Sequence, residues 1–285
     1  RNGGLLALQA DSTIIATGGA SRIYDISTNS ATGTGDGFAL GYRAGAELID
    51  MEMVQFHPTG AVYPYDARGR LVTEAVRGEG GVLLSAKGER FMERYDPERM
   101  ELSTRDVVAR SIAREIAEGR ETPHGGVYLD VTHLPPGQIE EKLPMMLEQF
   151  LAFGIDIRKE RMEVSPTAHH FMGGLRITPS CETTVPGLYA CGEAAGGVHG
   201  ANRLGTNSLV DLVVFGRRAG RDMARYIREH DFVPLPANAD DPSCGQVDRL
   251  LHGEGSERMA DIRAELQSTM MDDVGVFRVE PQIQA

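Results

Sequence analysis

Apolar and polar positions fall into short blocks along this chain, and the blocks define its elements. Thr13-Ile14-Ile15-Ala16-Thr17 is a β-branched run that ends in Gly18-Gly19, which predicts a buried strand entering a tight glycine turn. After Thr34-Gly35-Asp36-Gly37, the small and apolar residues of 38–45 suit a helix packed closely on a sheet. From residue 51 to about 164 the character changes to more charge, several prolines and alternating short strand and helix patterns, and this stretch reads as an inserted domain. Within it, Ser103-Thr104-Arg105-Asp106 has the S-x-x-D form of a capping box, with Val108, Ile112 and Ile116 following at every fourth position, so a helix is predicted to start there. Val185-Pro186-Gly187 followed by Leu188-Tyr189-Ala190-Cys191-Gly192-Glu193 predicts a turn, a buried strand, a glycine and an acid. Asn207-Ser208 then caps a long helix through Val213, Ala219 and Tyr226. Pro, Asp, Asn and Ala crowd 234–245, a linker pattern, and 256–271 opens a further helical unit. The expected organisation is one domain made of 1–50 and 165–233, an inserted capping domain at 51–164, and a linker with the start of a helical domain at 234–285.

Composition narrows the partners more than the fold. The 285 residues are 41% hydrophobic and 25% charged, ordinary globular material. A net charge of −12 argues against a nucleic-acid backbone or an anionic bilayer, although a small cationic pocket for an acidic metabolite fits inside an acidic protein. Cys181, Cys191 and Cys244 have no C-x-x-C spacing, so no disulfide framework and no metal site is expected, and reduced cytoplasmic thiols are the default. No apolar run approaches the roughly 20 residues of a membrane span, and the longest, 209–215, contains Asp211. Any membrane association is therefore expected to go through a partner. The chain starts at Arg1, not methionine, without a signal-peptide pattern, and an internal piece of a longer protein is expected.

Five blocks carry the candidate chemistry. They are Met51-Glu52-Met53-Val54-Gln55-Phe56-His57-Pro58-Thr59-Gly60, Thr73-Glu74-Ala75-Val76-Arg77-Gly78-Glu79-Gly80-Gly81, Arg105-Asp106-Val107-Val108-Ala109-Arg110, His169-His170-Phe171-Met172-Gly173-Gly174 and His199-Gly200-Ala201-Asn202-Arg203-Leu204-Gly205-Thr206-Asn207-Ser208-Leu209. In this order they resemble the signatures of the succinate dehydrogenase and fumarate reductase flavoproteins. The resemblance implies an α/β fold with an α+β insertion: part of a Rossmann-like FAD-binding domain, an inserted capping domain and the start of a C-terminal helical domain. It also implies an FAD-dependent oxidoreductase acting on a C4 dicarboxylate and partnered by an iron–sulfur subunit. The G-x-G-x-x-G unit of such proteins occurs nowhere in the sequence, and the pyrophosphate cradle is expected upstream of Arg1.

By resemblance, His57, Thr73, His169 and Arg203 hold the two substrate carboxylates. These types suit the task, since a guanidinium fork clamps a carboxylate while imidazole and hydroxyl donors hold the other end. Arg105 is implied as the proton donor or acceptor. Its predicted place in a first helical turn sets the positive end of the helix dipole against its charge. Glu74 and Arg77, three apart, resemble the relay that resupplies that proton, where an ordinary i,i+3 ion pair is the plainer alternative. Ala16, Thr17, Gly18, Gly19, Asp36, Glu193, Asn207, Ser208 and Leu209 are implied as FAD contacts, Glu193 following a buried strand and one glycine, where an acid can take ribose hydroxyls. His170 is given no role.

Two alternatives stay open. L-aspartate oxidase shares similar blocks, but Gly205-Thr206-Asn207-Ser208-Leu209-Val210-Asp211-Leu212 is closer to the succinate/fumarate form. A non-catalytic flavin-binding subunit of an electron-transfer complex is the other, and it would need none of His57, Glu74, Arg105, His169 or Arg203.

Overall fold

The computed structural model describes residues 6–284, whose strands form three sheets. The first half of the chain contains β1 (Thr13–Ile15), α1 (Asp36–Arg43), β2 (Leu48–Ile49), β3 (Val54–Tyr63), α2 (Glu74–Gly78), β4 (Val82–Leu84), α3 (Met92–Tyr95), α4 (Arg105–Ala117), β5 (Val127–Asp130), α5 (Pro136–Lys142) and α6 (Pro144–Leu151). The second half contains β6 (Met162–Phe171), β7 (Gly174–Arg176), β8 (Leu188–Ala190), β9 (Ala195–Gly196), α7 (Asn207–Glu229), α8 (Asp241–His252), α9 (Met259–Asp273) and α10 (Glu280–Ile283).

Parallel pairing joins distant parts of the chain, and antiparallel pairing builds the insertion. β1 pairs in parallel with β8, so the chain returns beside its own start after the inserted stretch. β2, β7 and β9 make a second small sheet in which β7 and β9 are parallel. The insertion is a four-stranded antiparallel sheet of order β3-β6-β5-β4. Its two long strands register Gln55 with His170 and His57 with Thr167, which sets the two histidine-bearing strands side by side. This is the α/β arrangement with an α+β insertion that the sequence predicts.

The insertion carries the larger core. Val108 and Ile112 are fully buried and Ile116 packs partly against them, the four-residue period placing all three on one face of α4. They meet Leu83, Val127, Leu129, Phe150, Met162 and Val164, each buried side chain contributing about 1.5–3 kcal/mol. Elsewhere α1 lies so close to β7 that a Cβ on Gly41 would run into Leu175.

Several sequence expectations are corrected by the structure. β1 is not buried throughout: Ile15 packs under α1, but Thr13 and Ile14 face outward from a sheet of two strands. The Ser103/Asp106 capping box does not form, because Ser103 Oγ donates to Asp96 Oδ2 at 2.5 Å and Thr104 takes the N-cap position. Arg105 still falls in the first helical turn, as the first residue of α4. Asn207 and Ser208 lie inside α7, whose N-cap is Thr206 in the left-handed region at φ 69°. The 234–245 linker is shorter than expected, since α8 begins at Asp241 with no buried residue to anchor it. Residues 164 and 165 lie within β6, paired with Ala61 and Gly60 of β3.

Candidate active site

β3, β6, the first turns of α2 and α4, and the loop before α7 bring the candidate residues together. His57 on β3 and His169 on β6 lie with ring centroids 5.2 Å apart. Val72 N–H donates to Thr59 O at 2.9 Å, tying the segment before α2 to β3 and bringing Thr73 alongside. Thr73 is the N-cap of α2, yet its side chain makes no capping bond. Arg203, 5% exposed, reaches in from the loop before α7.

Gln55 organises the two arginines. Its Oε1 accepts from Arg203 at 3.1 Å and from Arg105 at 3.4 Å, while its Nε2 donates to Arg203 O at 2.6 Å and Asn202 Oδ1 at 2.7 Å. Asn202 Nδ2 in turn donates to Asp106 Oδ1 at 3.1 Å, latching the loop onto the first turn of α4. Arg105 also grips Glu74, with Nε and Nη2 both 3.0 Å from Oε2. The opposite oxygen of Glu74 lies 3.7 Å from Arg77, whose side chain is 1% exposed while that of Glu74 is 50% exposed. Glu74, the member open to solvent, is thus hydrogen-bonded to Arg105 and within ion-pair but not hydrogen-bond distance of Arg77.

This setting shifts the titrating groups. Burial holds His57 well below the ordinary imidazole range, and His169, Arg105 and Arg77 push it the same way. His169 is lowered to about 4 by burial and then by Arg203 and Arg105. His170 is lowered to about 3, again by burial first and Arg203 next. Burial also lowers Arg77 and Arg203 and raises Glu193. Both site histidines are therefore neutral imidazoles at neutral pH, beside two cationic forks.

Two of the groups expected at FAD, Glu193 and Ser208, meet on the adjoining side. A cavity of about 230 Å³ lies between His169, His170, Glu193, Arg203, Ser208 and Asp211. His170 Nε2, Arg203 Nε and Asp211 Oδ1 are buried without a hydrogen-bond partner among the described residues. No side chain caps α7, while Leu209 and Leu212 stand exposed on its first turns. Unpaired polar atoms beside exposed apolar ones suit a flat ring system with a polar rim, so these residues fit a flavin. Glu193 packs where Gly19 has no Cβ, one oxygen accepting from Phe171 N–H at 2.9 Å and the other 3.5 Å from His170 Nδ1. Ala16 and Thr17 are exposed past the end of β1, and Gly18 has a φ of 80°. Asp36 is exposed at the start of α1, held by Thr34 Oγ1 at 2.9 Å.

Several residues of the site escaped sequence reasoning. Gln55 and Asn202 lie inside motif blocks, and their signal was a polar residue at a strand or loop position flanked by site residues. His199, 3.3 Å from Asp211, opens the fifth block with no role implied for it. Thr28, bonded to His169, lies outside every block and had no signal.

Residues 1–209 match the FAD binding domain family. A fumarate reductase (CoM/CoB) subunit of Methanothermobacter marburgensis is 56% identical over 96% of this chain and 49% of its own length. A mitochondrial succinate dehydrogenase flavoprotein subunit of Xenopus laevis is 45% identical over 97% of this chain and 43% of its own. A quinol-fumarate reductase structure superposes with a TM-score of 0.87 at 39% identity, over 95% of this chain and 49% of that one. The chain thus spans about half the length of the curated relatives it matches. It belongs to the FAD binding domain family and is similar to fumarate reductase and succinate dehydrogenase flavoproteins.

Proposed function

We propose that the protein containing this chain interconverts succinate and fumarate. The observation that carries the proposal is the pair of guanidinium groups, Arg105 and Arg203, sharing one amide oxygen of Gln55 beside two neutral imidazoles in contact. Two cations and two neutral donors match two carboxylates a short carbon chain apart. Arg203 clamps one carboxylate, and His57, Thr73 and His169 hold the other. FAD, when bound, supplies hydride chemistry at its N5. On the protein side, Arg105 gives or takes the proton at the neighbouring carbon, Glu74 exchanges it with Arg105, and Arg77 holds Glu74. Contacts to FAD are assigned to Ala16, Thr17, Gly18, Gly19, Asp36, Glu193, Asn207, Ser208 and Leu209. Residues 51–164 act as the capping domain, contributing His57, Thr73, Glu74, Arg77 and Arg105.

Electrons pass to or from an iron–sulfur subunit in the same proposal, which suits a chain whose relatives are named as subunits. No helix among the described residues is long and apolar enough to cross a membrane, so any membrane association is assigned to partner subunits.

The test is dye-linked turnover of the full-length protein with fumarate, succinate and L-aspartate, repeated with Arg105→Gln. Turnover of the C4 dicarboxylates and not aspartate is expected, with Arg105→Gln losing at least about nine-tenths of it while malonate still binds, on the scale of general-acid effects. Aspartate as the preferred substrate would move the protein to the oxidase reading. No turnover of any of the three would leave a flavin-binding subunit.

A further inference from the structure

Thr28 Oγ1 lies 2.7 Å from His169 Nδ1. The threonine is fixed there by main-chain bonds: Thr28 N–H donates to Ala168 O at 3.1 Å, and Ala168 N–H donates to Ile26 O at 3.1 Å. Ser27 also bridges Ala168 in parallel, so this segment is fastened to β6 one residue before the histidine. The ring nitrogen is the hydroxyl's one hydrogen-bond partner among the described residues. His57 has a matching arrangement. Thr59 N–H donates to His57 Nδ1 at 3.3 Å, and the Thr59 hydroxyl, 3.4 Å from the same nitrogen, donates its hydrogen to Val72 O at 2.7 Å. Neither Nε2 has a hydrogen-bond partner among the described residues.

A neutral imidazole carries one N–H, and the nitrogen that holds it is decided by what the other nitrogen meets. Burial and the flanking arginines keep both rings neutral. We propose that Thr28, through its hydroxyl, and Thr59, through its main-chain N–H, lock His169 and His57 in the same tautomer, so that each presents Nε2–H to a substrate carboxylate. The inference rests on the dicarboxylate reading of the site. A ring protonated at Nδ1 would turn a lone pair toward the carboxylate and replace attraction with repulsion. Thr28 is thus a positioning residue acting through His169, and its hydroxyl matters for direction, not for filling space.

The test uses the full-length holoenzyme labelled with nitrogen-15 histidine, the His57 and His169 signals being assigned by their loss in His57→Asn and His169→Asn. Near neutral pH and without ligand, both rings are expected as neutral Nε2–H tautomers. Thr28→Val, which keeps the shape and removes the hydroxyl, should give His169 a mixture of tautomers and weaken malonate binding about tenfold, roughly one hydrogen bond. Thr28→Ser should restore both, and Thr59→Val should leave His57 unchanged because the main chain makes that bond. His169 found as the Nδ1–H tautomer in the wild type would overturn the lock. So would a Thr28→Val protein with unaltered tautomer and unaltered malonate affinity. If the wild type shows the expected tautomers but no malonate binding, the lock stands and the dicarboxylate reading fails.

Discussion

Gln55 sits between two guanidinium groups that repel each other, and its single amide oxygen accepts from both. Burial first, and the neighbouring Arg105 next, lower the proton affinity of Arg203. The amide keeps them aimed into the site without neutralising them, and since Glu74 already pairs with Arg105, the charge left for an anion is chiefly that of Arg203. Replacing Gln55 with leucine removes the one acceptor that two charged donors share, each hydrogen bond worth about 1.5–3 kcal/mol. Gln55→Leu is therefore expected to weaken malonate binding by about tenfold to a hundredfold in the full-length holoenzyme. Gln55→Glu should weaken it at least as much, for the opposite reason, because a fixed carboxylate then competes with the ligand for both arginines. Calorimetric titration with malonate checks both, and wild-type affinity in either variant would remove Gln55 from the site.

Among the elements, α1 and α5 show how the same residue type acts in opposite directions. Gly41 lies where α1 meets β7, and a Cβ there would strike Leu175, which is fully buried and has no room to move. Gly41→Ala should cost about 1–3 kcal/mol by overpacking, despite the better helix propensity of alanine. Gly137 in the first turn of α5 has nothing within 4 Å of its Cβ position and a φ outside the left-handed region. Gly137→Ala should stabilise by about 0.4–1 kcal/mol through the unfolded chain. Thermal unfolding of the two full-length variants should shift in opposite directions. A Gly41→Ala protein as stable as the wild type or more so would contradict the close approach of α1 to β7.

On the scale of the whole molecule, the site is a group of buried imidazoles folded into their neutral form, and this sets a pH dependence. His169 and His170 have folded values of about 4 and about 3 against an ordinary value near 6.5, and His57 is lowered too. The unfolded chain therefore binds more protons than the folded one as pH falls below about 7, so stability is lost through that window toward the folded values. Glu115, lowered to about 2 with its carboxylate bonded to Arg120, Tyr95 and Arg94, acts in the same direction at more acid pH. Glu193 and Asp211, raised by burial, act in the opposite sense. The unfolding temperature should be lower near about pH 5 than near about pH 7, and His170→Phe should reduce the difference. An equal difference in His170→Phe would show that His170 carries none of the linkage.

The sequence by itself determined the local periods and the inventory of chemistry. Val108, Ile112 and Ile116 repeat with the helix period, so α4 and its buried face follow from spacing alone. The five ordered blocks likewise carried His57, Glu74, Arg105, His169 and Arg203, because a motif keeps residue types together even where their contacts are distant. The tertiary structure decided what those types meet. Ser103 looked like a cap until Asp96 took its hydroxyl, and the outward side of β1 depended on which strand paired with it. Gln55 touches Arg203 across 148 positions and Thr28 touches His169 across 141. Spacing along a chain constrains neighbours a turn or a strand apart, whereas contacts at that separation are fixed by the pairing of β3 with β6 and by the fastening of residues 26–28 to β6.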